Sequence, residues 1–339
     1  MNTNDVKALV HWYVTTRCNS RCKTCSIWCD DRYKSEESSL ESRLGLLEQL
    51  KAMRFLSIDF TGGEPLLYPG LPKLIQAAKK MGFMTWLTTN SLLYPKYAEA
   101  LRGAVTQLSF SLDSPFPERN DEIRGIPHFK KAIKAIKLAM SLGEIPMIKA
   151  TISKENVDDL QAFANLARKL GVLIEFNAEF AYFGNPALDR PGIGKIQAMK
   201  GHPNVIISKP HLQFMLDGGN NPRRPECHIG QNMIVIAPDN SLYYPCMHLV
   251  QEHIPLKNGS IRETMAQMRQ DGHVEKVGRL PFCRRCTIPC YMEPAYTTNI
   301  DKYFVQWFAG RLDYVRKRLA LQVANRFGAP REKGTRGYR

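Results

Sequence analysis

The stretch that decides the reading is Val10-His-Trp-Tyr-Val-Thr-Thr16, followed at once by Arg17-Cys18-Asn-Ser-Arg-Cys22-Lys-Thr-Cys25. The first seven residues are mostly β-branched or aromatic and favour an extended strand. They run into a loop with thiols at Cys-x3-Cys-x2-Cys spacing, and Cys29 follows four residues later. Thiolates this close on one loop suit a soft metal or an iron-sulfur cluster. Four of them, Cys18, Cys22, Cys25 and Cys29, would close a structural zinc site. Three on a four-iron cluster would leave one iron open, and spacing alone leaves both solutions standing.

Outward from this strand a rhythm appears. Apolar or β-branched runs recur at 56–61, 84–89, 107–112, 147–152 and 172–180. Stretches of 3.6-residue periodicity follow the first five strands, at 40–53, 71–81, 94–101, 129–142 and 157–170. A βα series of this kind forces a parallel sheet or barrel, since parallel strands need crossover connections. Gly82, Gly103, Gly143 and Gly171 fall where helices should end in a left-handed cap. Six units are too few for a closed eight-stranded barrel and predict a partial barrel or an open sheet, with ligands at the carboxyl ends of the strands.

Composition narrows the class. The chain has 339 residues, 44% of them hydrophobic, with nine cysteines and a formal net charge of +15. That is enough to bury a core, and it argues against disorder or a disulfide scaffold. No run approaches the roughly 18 apolar residues a span requires, and the first residues lack a secretory pattern, so a cytoplasmic protein is expected. The last 39 residues carry +7 of the charge, which points to an anionic partner without choosing among nucleic acid, membrane and acidic substrate. No helix-turn-helix, RNA-binding sheet motif or finger spacing accompanies it, so nucleic acid is the lesser expectation.

At the end of the second strand stands Thr61-Gly62-Gly63-Glu64-Pro65. Glycines there let the backbone approach a ligand and expose main-chain carbonyls, and Glu64 adds a carboxylate, a combination suited to an ammonium group. Together with the cysteine loop, in this order and at these strand ends, the motif closely resembles the radical S-adenosylmethionine (SAM) superfamily. Cys18, Cys22 and Cys25 match its cluster loop and Gly62-Gly63-Glu64 its SAM-amino motif. Thr24 departs from the pattern, standing where the family usually has an aromatic residue, with Trp28 the nearest substitute.

The resemblance implies an α/β fold: a partial (β/α)6 barrel over 10–205, after an N-terminal tail at 1–9. It also implies a 4Fe-4S cluster on the three cysteines, bound SAM, and an electron donor such as a flavodoxin or ferredoxin. By the same resemblance Asn90 lies near the SAM ribose and Arg124 near its carboxylate. Alternation along the fourth strand points Ser109, Ser111 and Asp113 into the barrel, and Ser111 and Asp113 join the cofactor-binding set. Lys149, Thr151, Glu175, Asn177 and Glu179 form the pool for substrate contacts.

A second cysteine group follows. Cys227 precedes an apolar run at 233–237, a turn, and Cys246; Cys283, Cys286 and Cys290 come later. After a radical SAM barrel this resembles the twitch or shortened SPASM extension, here 206–298, a hairpin and helices holding one auxiliary 4Fe-4S cluster. Cys227, Cys246, Cys283 and Cys286 are its best ligand set, with Cys290 a further candidate. A zinc ribbon is the alternative, and with it a non-enzymatic zinc protein that contacts nucleic acid.

From 299 to 328 the apolar residues Phe304, Phe308, Leu312, Val315, Leu319, Val323 and Phe327 recur at helical steps beside Arg311, Arg316, Lys317, Arg318 and Arg326. A basic amphipathic helix fits either a peripheral position on the inner face of a membrane or packing on the barrel. A disordered basic tail is expected at 329–339. The resemblance implies a radical SAM oxidoreductase or maturase that abstracts hydrogen from a small molecule, a peptide or a lipid-like substrate, its auxiliary cluster assisting.

Overall fold

The structure, a computed structural model, describes residues 7–181, 184–249, 252–297 and 300–327. The expected tail at 329–339, and most of that at 1–9, lies outside the described residues. Six strands come first: β1 (Lys7–Thr15), β2 (Phe55–Gly62), β3 (Met84–Thr89), β4 (Gln107–Ser111), β5 (Met147–Ile152) and β6 (Leu173–Ala178). Between them run α1 (Leu40–Ala52), α2 (Leu71–Lys80), α3 (Tyr94–Leu101), the pair α4 (Pro117–Arg124) and α5 (Phe129–Ser141), and α6 (Leu160–Leu170). The strands pair in sequence order, all parallel. The βα rhythm is therefore the fold. All four helix-end glycines take positive φ, from 69° at Gly103 to 86° at Gly82.

After α7 (Arg190–Ala198) comes β7 (Val205–Ile207), a short seventh strand parallel to β6 that the periodicity did not reveal, and then α8 (Lys209–Leu216). The chain then crosses to the other edge. β8 (Met233–Ile236) pairs parallel with β1, and β9 (Leu242–Tyr244) and β10 (Glu252–Ile254) follow antiparallel. The hairpin between the cysteines thus extends the parallel sheet, in the order β10-β9-β8-β1-β2-β3-β4-β5-β6-β7. The remaining helices are α9 (Ile261–Gln270), α10 (His273–Lys276), α11 (Pro289–Met292) and α12 (Lys302–Phe327). Between sheet and helices lies a continuous core in which Trp12 stacks on Phe60 and Tyr94 meets Phe110 edge-on. No helix among the described residues is long and apolar enough to cross a membrane.

α12 lies across the end of the sheet where β4, β6 and β7 begin. Lys317 Nζ donates to the carbonyl of Val205 at 2.8 Å, Arg318 Nη2 to Thr106 at 3.3 Å and Asn325 Nδ2 to Gly171 at 3.1 Å. Tyr303 is in the core, and Trp307 packs against it. The side of the helix toward the barrel is therefore partly polar. Phe308, Leu312, Val315, Leu319 and Val323 are exposed, so packing of this apolar stripe on the barrel is not what the described chain shows.

Candidate functional site

The cysteine loop leaves the end of β1 and is stitched to the ends of β2, β3 and α4. Gly63 N–H donates to Thr15 O at 3.0 Å and Glu64 N–H to Arg17 O at 2.8 Å. Neither glycine tolerates a side chain: a Cβ on Gly62 would lie 2.1 Å from Thr15 O, and one on Gly63 2.4 Å from Arg17 O. Gly62 also sits at φ 150°, a value L side chains rarely adopt. What crowds the two glycines is the backbone at the end of β1 and the start of the cysteine loop. From the other side Arg21 N–H donates to Arg124 O and Lys23 N–H to Ile123 O, at 3.0 and 2.9 Å. Gly125 caps α4 there, and a Cβ on it would meet Arg21 O at 2.4 Å.

Glu64 is only 1% exposed. Its Oε1 accepts from Leu66 N–H at 3.1 Å and Thr89 Oγ1 at 2.7 Å, its Oε2 from Asn90 N–H at 2.7 Å. Burial pushes its pKa up, and these three donors oppose the rise. In this arrangement Glu64 ties β2 to β3. Asn90 passes the tie on, donating from Nδ2 to Asn19 Oδ1 at 2.6 Å and Ser20 Oγ at 2.9 Å inside the cysteine loop. His128, which sequence reasoning missed, completes the chain. Asn120 Nδ2 faces its Nδ1 at 3.0 Å and Asn90 O its Nε2 at 2.8 Å, which assigns a neutral ring with the proton on Nε2. Burial, with Arg124 nearby, lowers its pKa to about 4.

Arg124 is buried at the end of α4. Its Nε lies 2.9 Å from Asp113 Oδ2, off the hydrogen-bond direction, and Nη1 reaches Cys22 Sγ at 3.4 Å. Burial opposes its charge, but Asp113 and the Cys22 thiol outweigh that and raise its pKa. Asp113 also accepts from Thr151 N–H at 3.1 Å. Ser111, half-buried, stands opposite Lys149 in the register. Trp28 lies under the Arg21 guanidinium at 4.9 Å.

Cys18, Cys22 and Cys25 are close enough for their charges to couple, while Cys29 is exposed and bonds Ser26 O. Burial pushes the Cys25 thiol up to about 12, so a bound metal must supply the drive for deprotonation. No three His, Cys, Asp or Glu side chains among the described residues converge as one mononuclear ion requires. Cys18, Cys22 and Cys25 supply three soft thiolate donors from one loop, the donor chemistry an iron-sulfur cluster takes.

The second cysteine group is gathered by Asn220. Its Nδ2 donates to Gly278 O at 2.8 Å and Cys283 O at 3.0 Å, its Oδ1 accepts from Glu226 N–H at 3.0 Å, and its N–H donates to Cys286 O at 2.9 Å. Burial raises the pKa of all four of Cys227, Cys246, Cys283 and Cys286; Cys286 and Cys283 add to the rise at Cys227, Cys227 and Cys286 to that at Cys246, and Cys283 to that at Cys286, so that Cys227 reaches about 12 and Cys286 about 11. Cys290 is apart from this set. On α11 burial, with Asp59 and Glu293 nearby, pushes its thiol up to about 12 against the opposing pull of Lys149, although the residue keeps an accessible surface.

These last groups line the inner wall of the sheet. Lys149 Nζ and Glu175 Oε2 are 3.7 Å apart on adjacent strands, and His11 Nδ1 meets Asp59 Oδ2 at 3.0 Å on β1 and β2. The sequence reading listed the first pair and missed the second, although a polar residue flanked by apolar ones in each strand was the available signal. Glu179, just past β6, has its pKa raised to about 7 by burial, with Glu155 adding to it.

Residues 12–167 match the family model described as the radical SAM superfamily. A GTP 3′,8-cyclase of Clostridium botulinum (strain Langeland) is 30% identical over 270 residues, covering 72% of this chain and 82% of that one. The chain belongs to the radical SAM superfamily. An AdoMet-dependent heme synthase of Oleidesulfovibrio alaskensis is 30% identical over 48% of this radical SAM chain and 43% of its own, and several such relatives are spanned over only about half their length. The fold is similar to that of anSMEcpe with bound AdoMet and Cp18Cys peptide, with a TM-score of 0.59 at 16% identity, covering 94% of this chain and 99% of that one.

Proposed function

We propose that this chain is a radical SAM oxidoreductase or maturase built on a partial (β/α)6 barrel, with a twitch- or SPASM-like extension over 206–298. The 4Fe-4S cluster and SAM, when bound, supply the reductive cleavage that yields a 5′-deoxyadenosyl radical able to take hydrogen from an unactivated carbon. The observation that carries the reading is the stitching of the cysteine loop to the ends of β2, β3 and α4. Cys18, Cys22 and Cys25 hold the cluster and leave one iron for SAM. Gly62, Gly63, Asn90, Ser111, Asp113 and Arg124 shape the SAM pocket, and Glu64 positions Asn90 within it. Such bracing holds reacting groups in one geometry, where misplacement by an ångström is costly.

Cys227, Cys246, Cys283 and Cys286 hold the auxiliary cluster, which accepts an electron or braces the extension. Lys149, Glu175, His11 and Asp59 contact the substrate. A peptide is the favoured substrate class, because the fold neighbour was solved with a peptide and the inner wall pairs both signs of charge. A lipid-like substrate is the second reading, and the basic C-terminal helix supports a peripheral position on an anionic membrane surface. The electron donor is a flavodoxin or ferredoxin. A zinc protein on nucleic acid does not account for the family membership. Anaerobic incubation with SAM and dithionite tests the proposal: wild type should form 5′-deoxyadenosine and Cys22→Ala none, and equal amounts from both would overturn it.

A further inference from the structure

The exposed stripe of α12 has a regular form. Val305, Phe308, Leu312, Val315, Leu319 and Val323 are between 50% and 62% exposed, at steps of three and four that place them on one side of the helix. An apolar stripe this long on a surface marks a place where something binds. Its own barrel does not cover it, because the opposite side of α12, through Tyr303, Lys317, Arg318 and Asn325, makes those contacts.

Charge says what the occupant is. Lys302 and Arg316 border the stripe and are exposed, Lys302 paired with Asp217 at 2.6 Å and Arg316 with Asp313. Asp313, the one acid of α12, is already paired with Arg316 and Lys317 at 2.8 Å each. The end of the barrel that α12 crosses is also where the helices finish. Their last turns and caps present exposed Lys51, Lys79, Lys80, Lys169 and Lys200, and Arg102 paired with the exposed Glu99 at 4.0 Å. In the sequence after Phe327, Arg331, Lys333, Arg336 and Arg339 outnumber Glu332. A second copy of the same helix would bring cation against cation. An anionic bilayer satisfies both the stripe and its basic surround, as interfacial helices do.

We propose that α12 seats this chain on an anionic bilayer through the strand-start end of the barrel, so that the cysteine loop, at the strand-finish end, faces the aqueous side. The inference deepens the peripheral-membrane reading and rests on it. It also favours a substrate that arrives from water over one drawn from the bilayer beneath.

The test is sedimentation of the full chain with phosphatidylglycerol–phosphatidylcholine vesicles, at low and high salt, for wild type and for Leu312→Gln/Val315→Gln/Leu319→Gln. These side chains are exposed, so the variant should fold. Wild type should bind at low salt, release at high salt, and ignore pure phosphatidylcholine, while the triple variant should bind about tenfold or more weakly. Bound wild type should form 5′-deoxyadenosine at the rate of the free protein. Failure of wild type to bind removes the membrane reading altogether. Equal binding by the triple variant keeps that reading and refutes the α12 seat. Loss of 5′-deoxyadenosine formation on vesicle addition refutes the orientation. A wild-type dimer in analytical ultracentrifugation that the triple substitution abolishes, without vesicle binding, assigns the stripe to self-association and overturns the proposal.

Discussion

Glu64→Gln exposes the logic of the site. The carboxylate is buried and accepts from three donors, two on Oε1 and one, Asn90 N–H, on Oε2 at 2.7 Å. An amide can keep its oxygen for Leu66 and Thr89, but its NH2 then faces the Asn90 N–H, donor against donor. Leaving a buried donor unsatisfied costs about 1–3 kcal/mol. Asn90 must move, and with it the bonds to Asn19 and Ser20 that hold the cysteine loop. The expected outcome is a drop of roughly 1–4 °C in melting temperature of the cluster-free protein, together with about tenfold weaker SAM binding in the reconstituted protein. Thr89→Val breaks the same tie from the β3 side and should weaken SAM binding in parallel. Differential scanning fluorimetry and anaerobic equilibrium binding supply the two readings. If Glu64→Gln loses SAM affinity with no change in melting temperature, and Thr89→Val loses none, Glu64 holds SAM directly and the positioning argument fails.

Other outcomes follow from the same geometry. Replacing Cys18, Cys22 or Cys25 by Ala should abolish SAM cleavage, whereas Cys29→Ala should not, as chromatography of 5′-deoxyadenosine would show. The triple variant lacking Cys18, Cys22 and Cys25 should retain about four irons per chain. Adding Cys290→Ala should leave that number unchanged, whereas adding Asn220→Ala should lower it because the turn carrying Cys283 and Cys286 loses its hub; elemental analysis decides. Glu179 has its pKa raised to about 7 in the folded chain, above the ordinary carboxylate value, so the folded state holds its proton more tightly than the unfolded one. Its contribution to stability therefore falls as pH climbs from the ordinary carboxylate range through 7, and Glu179→Gln should flatten that decline. Parallel melting curves of both proteins at pH 5 and pH 8 would reveal no difference in slope if the argument is wrong.

The parallel sheet was legible because each strand is a short apolar run and each following helix has a 3.6-residue period. α4 was not, since Pro-Glu-Arg-Asn-Asp-Glu-Ile-Arg has almost no apolar side to read, and β7 was too short to show alternation. The cysteines declared themselves by spacing. Their supports did not: Asn90, His128 and Asn220 act through bonds between residues dozens of positions apart, which no local pattern encodes. Glu64 illustrates the limit. Its place in the motif was plain, but the direction of its side chain depended on Thr89 and Asn90 arriving from the next strand. The amphipathic character of α12 was visible too, while which side faces the barrel was decided by Lys317, a cation buried on the carbonyl of Val205.

Electron paramagnetic resonance of the anaerobically purified, dithionite-reduced protein, recorded with and without SAM, bears most directly on the central claim. The account predicts a reduced 4Fe-4S signal whose spectrum shifts when SAM is added, and a variant lacking Cys18, Cys22 and Cys25 whose remaining signal does not respond. A protein that carries zinc without iron, or a cluster signal indifferent to SAM, would contradict it.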